Sequence, residues 1–328
     1  MSHTHTLIRD ILEGQNIAGY YIINNVCVDT TKNGDRYLRA SLCDKSGSMR
    51  TVFWGYDGDV SSADSGSVVY VAGKIGSYLE QIQLRCEQLN LMKEGDLNQD
   101  ILSDLVPVAP IDVSGYMKNA WKAAQSISNA ELQAICERIL RQNWTSFTRI
   151  PAAMSVHHAF RNGLLMHTVD MLSMAEALAD HSPNTVNRDL LICGVLLHDV
   201  GKIQEFDISP VTGLVRGYTP AGNLLGHAYL GAMEVRKTAE TLGIDPHASM
   251  LLEHMLASHH GDPTFGAIKC PQFIEAEYLH ALDMLDSRKE IYAENLENVP
   301  TRGQSDFIRA LGHTVYRHDL SCLPAATN

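Results

Sequence analysis

The hydrophobic period changes once along this 328-residue chain, and the change requires two differently built halves. From about residue 19 to residue 92, apolar and β-branched side chains come in short runs or alternate with polar ones, as strands require. Tyr20-Tyr21-Ile22-Ile23 opens a run that reaches Val28. Asn33-Gly34 follows, a dipeptide that favours a tight hairpin because both residues tolerate positive φ. Leu38, Ala40 and Leu42 then alternate with Tyr37, Arg39 and Ser41, so the first set faces a core and the second faces outward. Residues 49–54, 67–75 and 80–91 read as three further strands, with a short helix or loop at the polar stretch 57–66. Five short strands interrupted between the third and fourth fit a five-stranded OB-fold β-barrel over residues 1–95.

Residues 96–115 read as a linker, punctuated by Pro107, Pro110 and Gly115. From Tyr116 onward the apolar spacing becomes three and four: Leu132, Ile135, Ile139 and Leu140, then Leu164, Leu165, Val169 and Leu172. Residues 116–315 are therefore expected to form an all-α helical bundle. It should stay helical to about Gly312 apart from one loop between Ile208 and Gly226, and residues 316–328 should form a C-terminal tail that is loose from Leu323 onward. The expected fold class is multidomain α and β. No apolar run approaches the roughly 18–20 residues that span a bilayer, so no membrane partner is expected. Met1-Ser2-His3-Thr4-His5-Thr6 lacks the regions of a secretion signal, and a cytoplasmic location is the default expectation. The seven cysteines form no C-x-x-C pair, which argues for reduced, packing thiols.

The helical half carries the chemistry. Its histidines and carboxylates lie in five stretches. They are Gly163-Leu164-Leu165-Met166-His167-Thr168, Leu196-Leu197-His198-Asp199-Val200-Gly201-Lys202, Gly226-His227, Ala257-Ser258-His259-His260-Gly261-Asp262, and His280-Ala281-Leu282-Asp283-Met284-Leu285-Asp286. Several sit beside apolar residues that face a bundle interior. A buried imidazole or carboxylate is costly unless it is paired or bound to a metal. Helices that each contribute His or Asp to a bundle core can hold a two-metal site. Imidazole with carboxylate suits Mn, Fe, Co, Zn or Ni better than Ca. Adjacent side chains such as His198 and Asp199 diverge by roughly 100° on a helix. Both reach one cluster only near a helix end, which Gly201 marks. The formal net charge is −12, with 9 Lys and Arg against 11 Asp and Glu in residues 1–95 and 17 against 27 in the rest. The acidic excess lies with the histidines, where it suits cations, and any nucleic-acid surface must be local.

These stretches resemble the HD-domain phosphohydrolase superfamily, named for its adjacent His-Asp pair. The resemblance covers roughly residues 150–290 and rests above all on Leu196-Leu197-His198-Asp199-Val200-Gly201-Lys202. It implies that His167, His198, Asp199 and Asp283 form the core metal set, and that His227, His259 and His260 supply the extra ligands of two-metal members. Gly163 stands where some two-metal relatives place a glutamate. The OB-like segment narrows the resemblance to the YhaM-type 3′–5′ exoribonucleases, whose order of OB-fold, linker and HD domain covers nearly the whole chain. Met166 stands where that family often has Glu. The implied activity is metal-dependent hydrolysis of single-stranded RNA, with DNA as a second substrate, from the 3′ end to 5′-mononucleotides. The implied cofactors are two divalent transition-metal ions, manganese first, with Fe, Co or Ni as alternatives. Members of the family can assemble into homo-oligomers.

Within this resemblance Asp199 and Lys202 are the catalytic pair, Lys202 either neutralising phosphate charge or complementing a helix dipole. His158 and Arg161 are read as substrate contacts, with Asp262 or His158 alternatively supporting the metal ligands from behind. On the barrel, Tyr37 and Trp54, with Tyr78, are either core or platforms for stacked bases. Arg39 and Arg50, with Lys74, are either a solvated face or a track for the phosphodiester backbone. His3 and His5 are read as surface or capping residues. The alternative function is an HD-type nucleotide or cyclic-nucleotide phosphodiesterase with the barrel as a sensor. A nucleic-acid-binding module with a vestigial helical domain is a further reading, which the complete set of ligand types argues against.

Overall fold

The computed structural model describes residues 5–78, 81–154, 158–297 and 299–320; His3, His157 and the tail residues 321–328 lie outside them. The chain forms two compact units. One is the segment up to Val108 together with Asp207–Gly217, and the other is Ala109–Phe206 together with the chain from Tyr218.

The first unit is the barrel: β1 (Asn16–Thr30), β2 (Arg36–Asp44), β3 (Gly47–Trp54), β4 (Ser67–Tyr78) and β5 (Gln81–Leu91). The strands close in the order β1-β2-β3-β5-β4, and β3 pairs with β5 in parallel. The Asn33-Gly34 turn joins β1 to β2, and a single 3-10 turn, Ser62–Asp64, fills the interruption before β4. Leu38, Ala40 and Leu42 are buried, as their alternation requires, among Tyr21, Ile23, Val69, Val71, Ile75 and Leu84. His5 departs from its reading as a surface residue. Its ring packs at 4.9 Å from Tyr21 and its Nε2 lies 3.1 Å from Asp44 Oδ2, where the buried carboxylate also accepts from the Ile8 and Ser46 amides.

The segment 96–115 carries a helix, α1 (Gln99–Leu105), whose Ile101 and Leu105 pack with Ile22 and Val68 of the barrel. Val211 and Leu214 join this cluster. They belong to a hairpin of β6 (Phe206–Ile208) and β7 (Val215–Tyr218), in the stretch read from sequence as a loop.

The second unit holds α2 (Val113–Gln125), α3 (Ala130–Phe147), α4 (Gly163–His181), α5 (Arg188–Leu197), α6 (Lys202–Glu205), α7 (Pro220–Leu242), α8 (Pro246–Ser258) and α9 (Ile274–Leu296). Residues 190–197 of α5 are all buried, and it packs against α2, α3, α4, α8 and α9. A helix that is apolar all round belongs at a bundle centre, and this one carries the His198-Asp199 pair to that centre. α7 starts earlier than the loop reading allows, because Thr219 caps it and Pro220 occupies the first turn. The helical pattern ends at Leu296, not near Gly312. Pro300 cannot continue a helix, and buried Arg317 closes the end by donating to the carbonyls of Leu296, Glu297 and Val299 at 3.2, 3.4 and 3.0 Å. Cys86, Cys136 and Cys193 are buried, whereas Cys270 is exposed. Among the described residues no helix is long and apolar enough to cross a membrane.

Candidate metal centre

Two helix ends define the site. His198 follows the last residue of α5 and His259 follows the last residue of α8. Each ring donates from Nδ1 to the carbonyl three residues back, at 2.8 Å to Val195 and 2.7 Å to Leu256. A carbonyl can only accept, so the proton sits on Nδ1 and the Nε2 lone pair is left facing the cluster. Helix C-termini also present partial negative charge, which favours cations. Gly201 does not end a helix in the left-handed region as expected; its φ is −62°. It is small because a Cβ there would lie 2.1 Å from the His227 carbonyl oxygen.

Asp199 stands at the centre. Its Oδ2 lies 3.3 Å from His198 Nε2 and 3.8 Å from His167 Nε2. Its Oδ1 lies 3.5 Å from His227 Nε2 and 3.8 Å from His259 Nε2. Asp283 Oδ1 approaches His167 Nε2 at 3.3 Å, and His260 Nε2 approaches His227 Nε2 at 3.0 Å. The ligand atoms of His167, His198 and Asp199 lie within 4.8 Å of one another, as do those of His227, His259 and His260. The structure thus brings all seven expected ligands together. Asp199 Oδ1 and His259 Nε2 are buried with no hydrogen-bond partner among the described residues. Uncompensated polar atoms of this kind are expensive, and a cation with bonds of about 2.0–2.2 Å reaches both. The donor set therefore fits divalent metal.

The electrostatics favour the ligating forms of His259, His260, Asp199 and Asp283, and the protonated forms of His167 and Lys202. Burial and the neighbouring His260 and His198 rings push His259 well below its ordinary range, and burial with His227 lowers His260 to about 4. Burial works against ionised Asp199, but Lys202 and His198 outweigh it and hold the carboxyl well below the usual range. Asp283 is lowered in the same way, burial being overcome by its hydrogen bond with His167. Burial opposes charge on His167 as well, yet Asp283 and Asp286 raise it to about 9. Lys202 Nζ lies 2.6 Å from Asp199 Oδ2, and that charge, against burial, keeps the ammonium protonated.

Two carboxylates that hold histidines of the site escaped the sequence reading. Glu205 accepts from His227 Nδ1 at 3.0 Å and from the His227 amide at 3.0 Å. Gly226 makes this possible: its φ of +72° breaks α7 just before His227. Asp286 accepts from His167 Nδ1 at 2.8 Å. Its spacing of three from Asp283 was the available signal, because such residues share a helix face. His280 donates from Nδ1 to the His259 carbonyl at 2.8 Å and so braces the turn after α8.

Two expectations need correction, and the lack of a glutamate at position 163 has a steric reason. His158 is fully buried and places Nε2 2.9 Å from Asp286, so of its two readings the geometry matches the support behind His167 and not the substrate contact. Asp262 is exposed and accepts from the Thr264 amide and hydroxyl at 2.8 and 2.7 Å, capping a turn instead of supporting a ligand. Gly163 has no room for a glutamate, since a Cβ there would lie 2.1 Å from the His158 carbonyl oxygen. Arg161 is half-buried, and its carbonyl accepts from the Ala109 amide at 2.9 Å.

On the barrel, Arg39, Arg50 and Tyr78 line a concavity of about 570 Å³ with Cys27 and Gln83. Tyr37 and Trp54 are cross-strand partners with ring centroids 5.0 Å apart. Trp54 and Tyr78 are each 59 % exposed, which rules them out as core residues. Arg39 is paired with Asp29 at 2.9 Å.

Comparison with known proteins agrees with both units. The HD domain family matches residues 164–288, and the OB-fold nucleic acid binding domain family matches residues 23–92. The protein named 3′-5′ exoribonuclease YhaM from Geobacillus sp. (strain WCH70) is 35% identical over 91% of this chain and 90% of its own length. Its namesake in Listeria innocua is 36% identical over 84% of this chain and 86% of its own. That in Bacillus subtilis (strain 168) is 33% identical over 91% and 93%.

Proposed function

The chain belongs to the YhaM family of 3′–5′ exoribonucleases, and from that premise we propose that it shortens single-stranded RNA from the 3′ end by metal-dependent phosphodiester hydrolysis. The observation that carries this reading is Asp199, each of whose oxygens faces two imidazoles. A carboxylate so placed can bridge two cations. His167, His198, Asp199 and Asp283 would hold one, and His227, His259 and His260 with Asp199 the other. Mixed nitrogen and oxygen donors suit first-row transition metals; manganese is our reading, with Fe, Co and Ni as alternatives. Bound there, such a pair of ions would supply Lewis-acid chemistry, polarising the phosphoryl group and activating the attacking water.

The chain's own groups do the rest. Lys202, held protonated beside Asp199, balances charge developing on the phosphate or the leaving oxygen. Trp54 offers an exposed π-face on which a base stacks, with half-buried Tyr37 beside it, and Arg50 follows the backbone. Arg39 contributes less, because Asp29 already neutralises it. Arg161 remains a candidate substrate contact.

The test uses protein reconstituted separately with Mn, Fe, Co and Ni, given 5′-labelled single-stranded RNA, the matching DNA and a cyclic dinucleotide. The expected result is an RNA ladder receding from the 3′ end with release of 5′-mononucleotides, fastest with manganese. Hydrolysis of the cyclic dinucleotide alone overturns the reading and leaves the phosphodiesterase alternative.

A further inference from the structure

The four rings around Asp199 are oriented by two different devices. His198 and His259 sit at helix ends, where a free carbonyl of their own helix takes Nδ1. His167 lies within α4, where the helix's own hydrogen bonds already use the nearby carbonyls, so its orientation must come from another element. That element is α9. Asp283 and Asp286 lie three residues apart on one face of it. Asp283 Oδ1 lies 3.3 Å from His167 Nε2 and Asp286 Oδ2 lies 2.8 Å from His167 Nδ1, so one helix holds both nitrogens of the ring.

Asp286 is itself held on all sides. It is fully buried, with His158 Nε2 2.9 Å from the same oxygen and Lys289 Nζ 2.8 Å from the other. Lys289 also reaches Asp170 Oδ2 at 2.9 Å, three residues beyond His167 on α4. The Tyr116 hydroxyl, on α2, donates to Asp170 Oδ1 at 2.9 Å. A continuous set of contacts therefore ties α2, α4 and α9 to the back of one metal-facing ring.

We propose that Asp286 is a positioning residue of the metal centre: it fixes the His167 ring with Nε2 toward Asp199 and Asp283, and Lys289 with Asp170 and Tyr116 fixes Asp286 in turn. A carboxylate only accepts, so His167 must carry its proton on Nδ1, and neither a ring flip nor the other tautomer keeps that bond. Carboxylates behind metal-bound imidazoles act in this way by orienting the ring and raising its basicity.

The inference rests on the two-metal reading of the site but not on RNA as substrate. Its test is a manganese titration of the metal-stripped full-length chain against a competing fluorescent chelator. Asp286→Asn is expected to weaken binding of one of two equivalents by about 10–100-fold. The affinity for single-stranded RNA in EDTA should stay unchanged, and kcat should recover at raised manganese. Lys289→Met, which leaves Asp286 in place but unsecured, should weaken the same equivalent several-fold. Parental affinity for both equivalents in either folded variant overturns the proposal. Should Asp286→Asn fail to fold, Lys289→Met, at a half-exposed side chain, decides the matter alone. Neither titration depends on which phosphodiester is cleaved, so failure of the exonuclease assay leaves this result readable.

Discussion

Gly201→Ala separates two opposing effects at the heart of the site. Gly201 has φ −62° and ψ −21°, ordinary right-handed helix values. On backbone grounds alone, alanine should stabilise this position by about 0.5–1 kcal/mol, because it restricts the unfolded chain more than glycine does. The surroundings oppose that gain. The added Cβ would lie 2.1 Å from the His227 carbonyl oxygen and 2.7 Å from the Gly231 amide nitrogen, both backbone atoms of α7. Ordinary contact needs roughly 3.5 Å, so the turn after Asp199 and α7 must separate by more than about 1 Å. Overpacking of this kind costs about 1–3 kcal/mol, so the net effect is a loss of up to about 2 kcal/mol. For a chain of this size that lowers Tm by roughly 2–4 °C per kcal/mol. The separation also moves His227 away from Asp199, and a 1 Å misplacement costs on the order of 100-fold in rate. Melting of the metal-free variant and elemental analysis of the loaded one check both parts. A Tm at or above that of the parent, with full metal content, would refute the close contact between the two backbones.

Glu205→Ala removes the acceptor for both the His227 ring and its amide. It should weaken the other manganese equivalent by about 10–100-fold; a titration indistinguishable from the parent would sink the role given to Glu205. Trp54→Ala deletes an exposed ring on β3, so Tm should hold while single-stranded RNA binding in EDTA weakens by the 1–3 kcal/mol that roughly one stacked base contributes. Unchanged anisotropy titrations would remove Trp54 from the interface. Asp44 has its pKa lowered in the fold: burial opposes the charge, but bonds from His5, Ser46 and Ile8 outweigh it. Its stabilisation is therefore complete above the unfolded value of about 4 and is lost as pH falls through the lower folded value. Asp44→Asn should thus be less stable than the parent at pH 6, with the gap closing below about pH 4 in urea titrations; a gap independent of pH contradicts the assignment.

What the sequence made legible was local. Leu38, Ala40 and Leu42 declared the barrel's inner face by strict alternation, and candidate ligands such as His167 and His198-Asp199 declared themselves by interrupting apolar runs. His198 and His259 are local in a stronger sense, since the carbonyl that orients each ring lies three residues away. His167 and His227 are not. Their orienting carboxylates stand 119 and 22 residues away in the chain, and periodicity names a face but not the partner across it. The misreadings share that cause. His158 reads as a substrate contact from its neighbours alone, but its backbone takes a left-handed φ of +57° and its ring lies against Asp286. Arg317 looked like tail, yet its guanidinium donates to the carbonyls of Leu296, the last residue of α9, and of Glu297 and Val299 just past it. The adjacent His-Asp pair is thus a necessary mark of the site and not a sufficient one. A chain retaining all seven ligands but lacking Asp286 and Glu205 would keep the motif, and two of its four rings around Asp199 would lose the carboxylate that aims them from behind.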